Sequence, residues 1–169
     1  MKTIAAIVLL SCCALAQDKT AISTAESACG PQDAKFEVKS DKSQHPAPAR
    51  EEGEALIYFV ADGHLTTPIG VDGKWVGVVN DGKYFFVPIA PGEHHLCVML
   101  QPGPAQKALT GLHRVSVHSL KAEPGGAYYF RARLVGISAG FVLQLDQLDP
   151  DEGRWFVAWS SFSNSHPKD

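Results

Sequence analysis

Tight-turn signals recur at short intervals from residue 72 onward, and they constrain the fold of this chain more than any other feature. Asp72-Gly73, Asn80-Asp81-Gly82, Pro91-Gly92 and Pro124-Gly125-Gly126 supply the positive φ or preset geometry that tight turns need. Short apolar or alternating runs lie around them. Ala55 to Ala61 (ALIYFVA) is continuously apolar, the pattern of a strand buried on both faces. The next run, Ile69 to Val79, is broken by Asp72-Gly73. Trp75–Val79 and Tyr84–Ile89 flank Asn80–Gly82 as a hairpin. His94 to Leu100 is another strand, and His113 to Ser119 alternates with Val115 and Val117 facing inward. Ala127 to Val135 alternates most clearly: Tyr128, Phe130, Ala132 and Leu134 share one face, and Tyr129, Arg131 and Arg133 share the other. Phe141, Leu143 and Leu145 mark a last strand. About seven strands with turns roughly every 8–12 residues predict a mostly β fold. The expected form is an antiparallel β-sandwich, with a small barrel as the alternative closure. Without βα alternation, a Rossmann-type nucleotide domain is not expected.

The ends read differently. Asp149-Pro150-Asp151-Glu152 combines an N-cap acid, proline at the first helical position and an early glutamate. It predicts a short C-terminal helix from about Pro150 to Ala158. Gly153 weakens that helix, and a final strand over RWFVAW is the alternative. Residues 163–169 read as a polar tail, closing a β domain that spans 54–162. At the other end, Lys2, the apolar run Ile4 to Leu10 and Ala14-Leu15-Ala16 form a secretory signal peptide over residues 1–16, too short to span a bilayer. Leu9-Leu10-Ser11-Cys12 offers a second reading, a lipobox with lipidation at Cys12. Residues 17–53 are polar and proline-containing: a tether over 17–28, then an extended arm from 29 to 50. Phe36-Glu37-Val38-Lys39 alternates within that arm like a short strand.

Charge and cysteine usage narrow the functional classes. The whole chain of 169 residues carries a formal charge of -3, and loss of Lys2 makes the mature form slightly more negative. It has no basic stripe, which argues against a nucleic-acid partner. A membrane becomes a partner only through lipidation. Cys12 and Cys13 lie within the signal, leaving Cys29 and Cys97. In an exported protein two such cysteines pair as a disulfide. That bridge would close a long loop and contribute about 3–4 kcal/mol by restricting the unfolded chain.

An ordered set of short motifs adds a family resemblance. Leu56-Ile57-Tyr58-Phe59 precedes Gly70-Val71-Asp72-Gly73-Lys74-Trp75-Val76-Gly77. Then come Asn80-Asp81-Gly82-Lys83-Tyr84-Phe85, Pro91-Gly92-Glu93-His94-His95-Leu96 and Glu123-Pro124-Gly125-Gly126-Ala127-Tyr128-Tyr129-Phe130. Over roughly Glu54 to Leu148 this order resembles a bacterial family of exported β domains of unassigned function that carry a lipoprotein label. It is more distantly similar to PEGA-type surface domains. The resemblance implies an envelope-facing β-sandwich without catalytic residues. It makes Asp72, Gly73, Gly77, Tyr84, Pro91, Gly92, His94 and Tyr128 residues of the fold.

Chemistry-bearing clusters are few. Strand periodicity puts His95, Cys97 and Met99 on one face, and with His94 these are ligand types that suit soft copper or zinc. A Cys29–Cys97 bridge would remove the thiolate and leave the histidines structural roles. No HExxH or paired CxxC spacing occurs, and Ser138-Ala139-Gly140 lacks the full nucleophile-elbow pattern. Asp146, Asp149, Asp151 and Glu152 read as a carboxylate pair for hydrolysis, an acidic calcium site, or a solvated turn and helix start. Trp75, Tyr129, Trp155 and Trp159 are either core residues or an aromatic surface for sugars or a partner's apolar groups. The expectation is a non-catalytic exported or envelope-associated module without a cofactor, binding an envelope macromolecule or glycan or serving as a structural accessory. The alternatives are a metal-handling protein using His95 and Cys97, or a hydrolase.

Overall fold

The turn signals and apolar runs produce ten strands and one helix in a computed structural model, which describes residues 29–31, 34–41, 45–64, 66–100, 115–138 and 140–167. The expected signal peptide over residues 1–16, with Cys12, and the expected tether over 17–28 lie outside the described residues. In chain order the elements are β1 (Phe36–Asp41), β2 (Ala55–Asp62), β3 (Thr67–Val71), β4 (Lys74–Val79), β5 (Lys83–Ile89), β6 (Gly92–Met99) and β7 (Val115–Ala122). β8 (Ala127–Ile137), β9 (Gly140–Leu148), α1 (Pro150–Trp159) and β10 (Ser161–Pro167) complete the fold. Six strands in the order β1-β10-β5-β2-β8-β9 face four in the order β4-β3-β6-β7. The result is a mostly β sandwich with one short helix, and the sheets do not close into a barrel.

The continuous apolar run of β2 has the expected consequence. This strand sits within the larger sheet, antiparallel to β5 on one side and parallel to β8 on the other. The parallel pair arises because the chain visits the smaller sheet twice before β8 returns beside β2. Facing inward, Ile57, Phe59, Phe85, Phe130, Leu143 and Leu145 meet Ile69, Val71, Leu96, Val98 and Leu120 from the smaller sheet. The alternation of β8 holds as read: Phe130 and Ala132 join this core, with Tyr128 and Leu134 against it.

Both outer faces are also covered in part. On the larger sheet Val60, Tyr84, Tyr129 and Leu148 form a second cluster with Tyr58, Phe86, Phe162 and the helical Phe156 and Val157. On the smaller sheet Cys29, Cys97 and Met99 form a third, with Trp75 and Val115 packed against it. The sandwich therefore has α1 on one side and part of the N-terminal arm on the other.

Three sequence expectations need correction. Strands number ten rather than about seven, because the Ile69–Val79 run divides into β3 and β4 and because β1 and β10 add a ribbon at the edge of the larger sheet. Most of the segment read as a polar tail is β10. It lacks an apolar period because its inward positions are serines: Ser163 Oγ donates to the Val78 carbonyl at 3.1 Å, and Val78 N–H donates to Ser165 Oγ at 2.7 Å. These bonds tie the ribbon to β4 across the sandwich edge. Finally, Val115 and Val117 face outward. Register pairs Val117 with the outward Cys97. Ser116, His118 and Leu120 take the inner face: Ser116 Oγ accepts the Leu145 N–H, His118 lies edge-on to Phe130, and Leu120 enters the core.

Candidate functional site

Helix α1 forms where the capping pattern placed it. Asp149 Oδ1 accepts the Asp151 N–H at 2.8 Å, Pro150 opens the first turn, and the Ser160 N–H closes the last turn on the Phe156 and Val157 carbonyls. Gly153, which weakens helix propensity, is required by the seat: a Cβ there would collide with Tyr129. Close approach lets Phe156 and Val157 reach the outer cluster of the larger sheet, where Tyr58 and Tyr129 stack at 4.9 Å.

With that side seated, the opposite side faces water. Trp155 is 58% exposed and Trp159 73%. One helical turn apart, their rings are nearly parallel at 8° with centroids 6.1 Å apart. That separation exceeds van der Waals thickness by about 2 Å, so the indoles are not in full face-to-face contact, and both remain exposed. Trp155 also meets Phe156 edge-on at 5.0 Å. Arg131 from β8 lies over the Phe156 ring at 5.5 Å and reaches Glu152 at 3.4 Å, so the aromatic strip continues into a charged rim. Beyond it Arg133 Nε donates to Asp146 Oδ2 at 2.6 Å, and Arg154 pairs with Asp151.

The other two aromatic candidates lie elsewhere. Tyr129 is buried beneath α1 and supports the helix rather than offering a surface. Trp75 sits on the opposite outer face, where its indole Nε1 donates to the Pro31 carbonyl at 2.7 Å and Phe36 meets its edge at 5.9 Å. Burial holds for Tyr129 and partly for Trp75, and fails for Trp155 and Trp159.

The histidine–cysteine cluster is organised for structure. Cys97 is joined to Cys29 by a disulfide with a Cα–Cα distance of 5.1 Å, and both residues are buried. Gly70 admits this attachment, since a Cβ there would strike the Cys29 carbonyl. Cys97 thus has no thiolate for a metal, and His95 is left exposed beside it. Among the described residues no group of three or more His, Cys, Asp or Glu side chains could hold a metal ion.

His94 instead joins two turns. Its Nδ1 lies 2.7 Å from Asp72 Oδ2 and its Nε2 lies 2.8 Å from the Ala90 carbonyl. Asp72, at φ 51°, uses its other oxygen to accept the His95 N–H at 2.8 Å. Two acceptors for two ring nitrogens require both N–H groups, which defines an imidazolium. Burial alone would lower the His94 pKa, but the bonds to Asp72 and Ala90 outweigh it and raise the value. Burial likewise opposes the Asp72 charge, yet the His95 N–H and the His94 ring hold its pKa below the usual range.

Of the acidic candidates, Asp146 and Glu152 meet at Arg131, at 3.9 and 3.4 Å, with Arg133 also on Asp146, while Asp149 caps the helix and Asp151 pairs with Arg154. Each acid is engaged by an arginine or a capping bond, which describes a charged surface rather than an acid–base couple. Sequence reading missed the Arg131–Glu152 and Asp72–His94 contacts, which depend on how separate elements meet. It did contain one signal for the exposed pair: Trp155 and Trp159 are four apart while Gly153, Phe156 and Val157 fall on the other side of the same helix.

No protein-family model, curated protein or solved structure gave a match to this chain.

Proposed function

We propose that this chain is an exported or envelope-associated β-sandwich module that binds a partner and carries no catalytic chemistry, with the outward side of α1 as its contact surface. The observation that carries this reading is the Trp155–Trp159 pair, held parallel in water on a closely seated helix. With side chains of about 250 Å², the two indoles leave on the order of 300 Å² exposed. At about 25 cal/mol per Å² that forgoes several kcal/mol of burial. A fixed, exposed aromatic patch is the usual character of a binding surface.

Export is supported by Lys2, the Ile4–Leu10 run and Ala14-Leu15-Ala16, and by a disulfide of the kind that persists in oxidising compartments. The resemblance to exported β domains with a lipoprotein label points the same way. Cys29 is fastened to the outer face of the smaller sheet, and α1 covers the outer face of the larger one.

The test is an intact mass of the protein isolated without reductant from the envelope or medium of its own cells, combined with co-sedimentation with envelope material. The expected species starts after Ala16 or at an acylated Cys12 and lies about 2 Da below its reduced mass. With Cys12→Ala excluding acylation, Trp155→Ala/Trp159→Ala should release it from the envelope material. A reduced cytoplasmic protein retaining Met1 would overturn export. Unchanged co-sedimentation of the double variant would overturn the contact surface.

A further inference from the structure

We infer that Trp155 and Trp159, with Arg131 and Glu152 at their rim, bind a neutral glycan chain. The inference rests on reading α1 as the contact surface and names its ligand. An indole face is electron-rich and packs well against the polarised C–H groups of a sugar ring. The two nearly parallel rings, one turn apart, extend that face along the helix. Phe156 touches both Trp155 and Arg131, so the stacking surface runs directly into a carboxylate–guanidinium pair. Such planar groups accept from and donate to ring hydroxyls, fixing orientation beside the apolar contact.

Size and charge decide against other occupants. About 300 Å² of exposed indole is well short of the roughly 800 Å² per partner that a standard protein interface or a second copy would need. Continuous apolar surface is also lacking, because Asp151, Glu152 and Arg154 bound the pair on the same helix. The charged groups beside it are balanced and paired, Arg131 with Glu152 and Arg154 with Asp151, and the last helical turn contains no basic residue. An anionic lipid surface or polyanionic chain would find no cation there that is not already engaged by a carboxylate. A neutral, hydroxyl-rich ligand with apolar ring faces has neither difficulty. The helix is already seated through Gly153 and capped by Asp149, so the site needs little ordering on binding.

The decisive experiment uses the full mature protein with its disulfide intact and envelope material from its own cells in three portions: untreated, protease-digested and periodate-oxidised. Wild type should be retained equally by the first two, and at least tenfold less by the third, in which vicinal diols are destroyed. Trp155→Ala and Trp159→Ala should each weaken retention about tenfold, Trp155→Phe/Trp159→Phe less, with unchanged thermal unfolding. Soluble glycan fragments released from that material should shift tryptophan emission to the blue in wild type only. Protease-sensitive, Trp-dependent retention would overturn the glycan in favour of a protein while leaving α1 as the contact surface. A dimer in sedimentation velocity that the alanine variants dissociate would overturn it in favour of a second copy. Retention independent of both tryptophans in every portion would overturn this inference and the contact surface together.

Discussion

The two outer faces of the sandwich both carry tryptophan, and they treat it in opposite ways. On the smaller sheet Trp75 is covered by the N-terminal arm: the Cys29–Cys97 bridge pins the arm down, the Pro31 carbonyl takes the indole N–H, and Phe36 closes the ring edge. On the larger sheet α1 supplies the cover and carries its own tryptophans on the far side. One face spends its aromatic group on holding a segment in place. The other uses glycine and a buried tyrosine for that purpose and leaves two indoles in water. The difference teaches that exposure here comes from how α1 is seated, since the same residue type on the opposite face is satisfied by packing.

The largest expected effect breaks the covered face. Cys29→Ala/Cys97→Ala should lower stability by about 3–4 kcal/mol, read from urea unfolding without reductant, because the unfolded chain regains the freedom of a loop closed over 68 residues. Trp75→Ala should follow at about 2 kcal/mol, less than a fully buried tryptophan because its ring is partly exposed. A result near zero would mean that the arm does not depend on this indole.

On the helix face, Gly153→Ala should destabilise by about 1–2 kcal/mol despite alanine's better helix propensity, because its methyl meets Tyr129. Stabilisation would show that α1 can lift without cost. Near-ultraviolet circular dichroism would follow the Tyr58–Tyr129 stack beneath it.

The clip between Asp72 and His94 should contribute on the order of 1 kcal/mol, the size of one partly exposed charged hydrogen bond. The His94 pKa is raised on folding. Its contribution is therefore complete below the ordinary value of 6.5 and is lost as pH rises through the higher folded value. The Asp72 pKa is lowered, so its contribution is complete above 3.8 and is lost as pH falls through the depressed value. Thermal melts from pH 6 to pH 9 should show a decline in wild type that His94→Gln removes. Equal slopes would refute the imidazolium.

The smallest expected effect sharpens the contrast. Trp155→Ala and Trp159→Ala should each change stability by less than about 0.5 kcal/mol, the usual range for exposed positions. A loss as large as that from Trp75→Ala would make the two faces alike and turn the exposed pair into a packing element.

Legibility followed locality. β2, the Trp75–Ile89 hairpin, the alternation of β8 and the capping of α1 were readable because each signal lies within a few neighbouring residues. β10 was not, because its partners are the Val78 backbone groups and its inward side chains are serines. Val115 and Val117 misled because alternation marks two faces without saying which is inner: Val115 packs beside Cys97 and Met99 on the outer face, and Val117 is left exposed there. The disulfide was legible by count, since only Cys29 and Cys97 remain once residues 1–16 are read as a signal peptide.

By itself the sequence determined the mostly β class, the turn positions, the short C-terminal helix and the cysteine pair, because propensity, turn chemistry and composition act locally. Tertiary structure alone decided the parallel placement of β8, the edge role of β10, the Asp72–His94 clip and the fates of the four aromatic candidates. Each of those depends on which elements approach one another and how closely: Gly153 meeting Tyr129 turns Trp155 and Trp159 to water, and Gly70 meeting Cys29 brings the arm over Trp75.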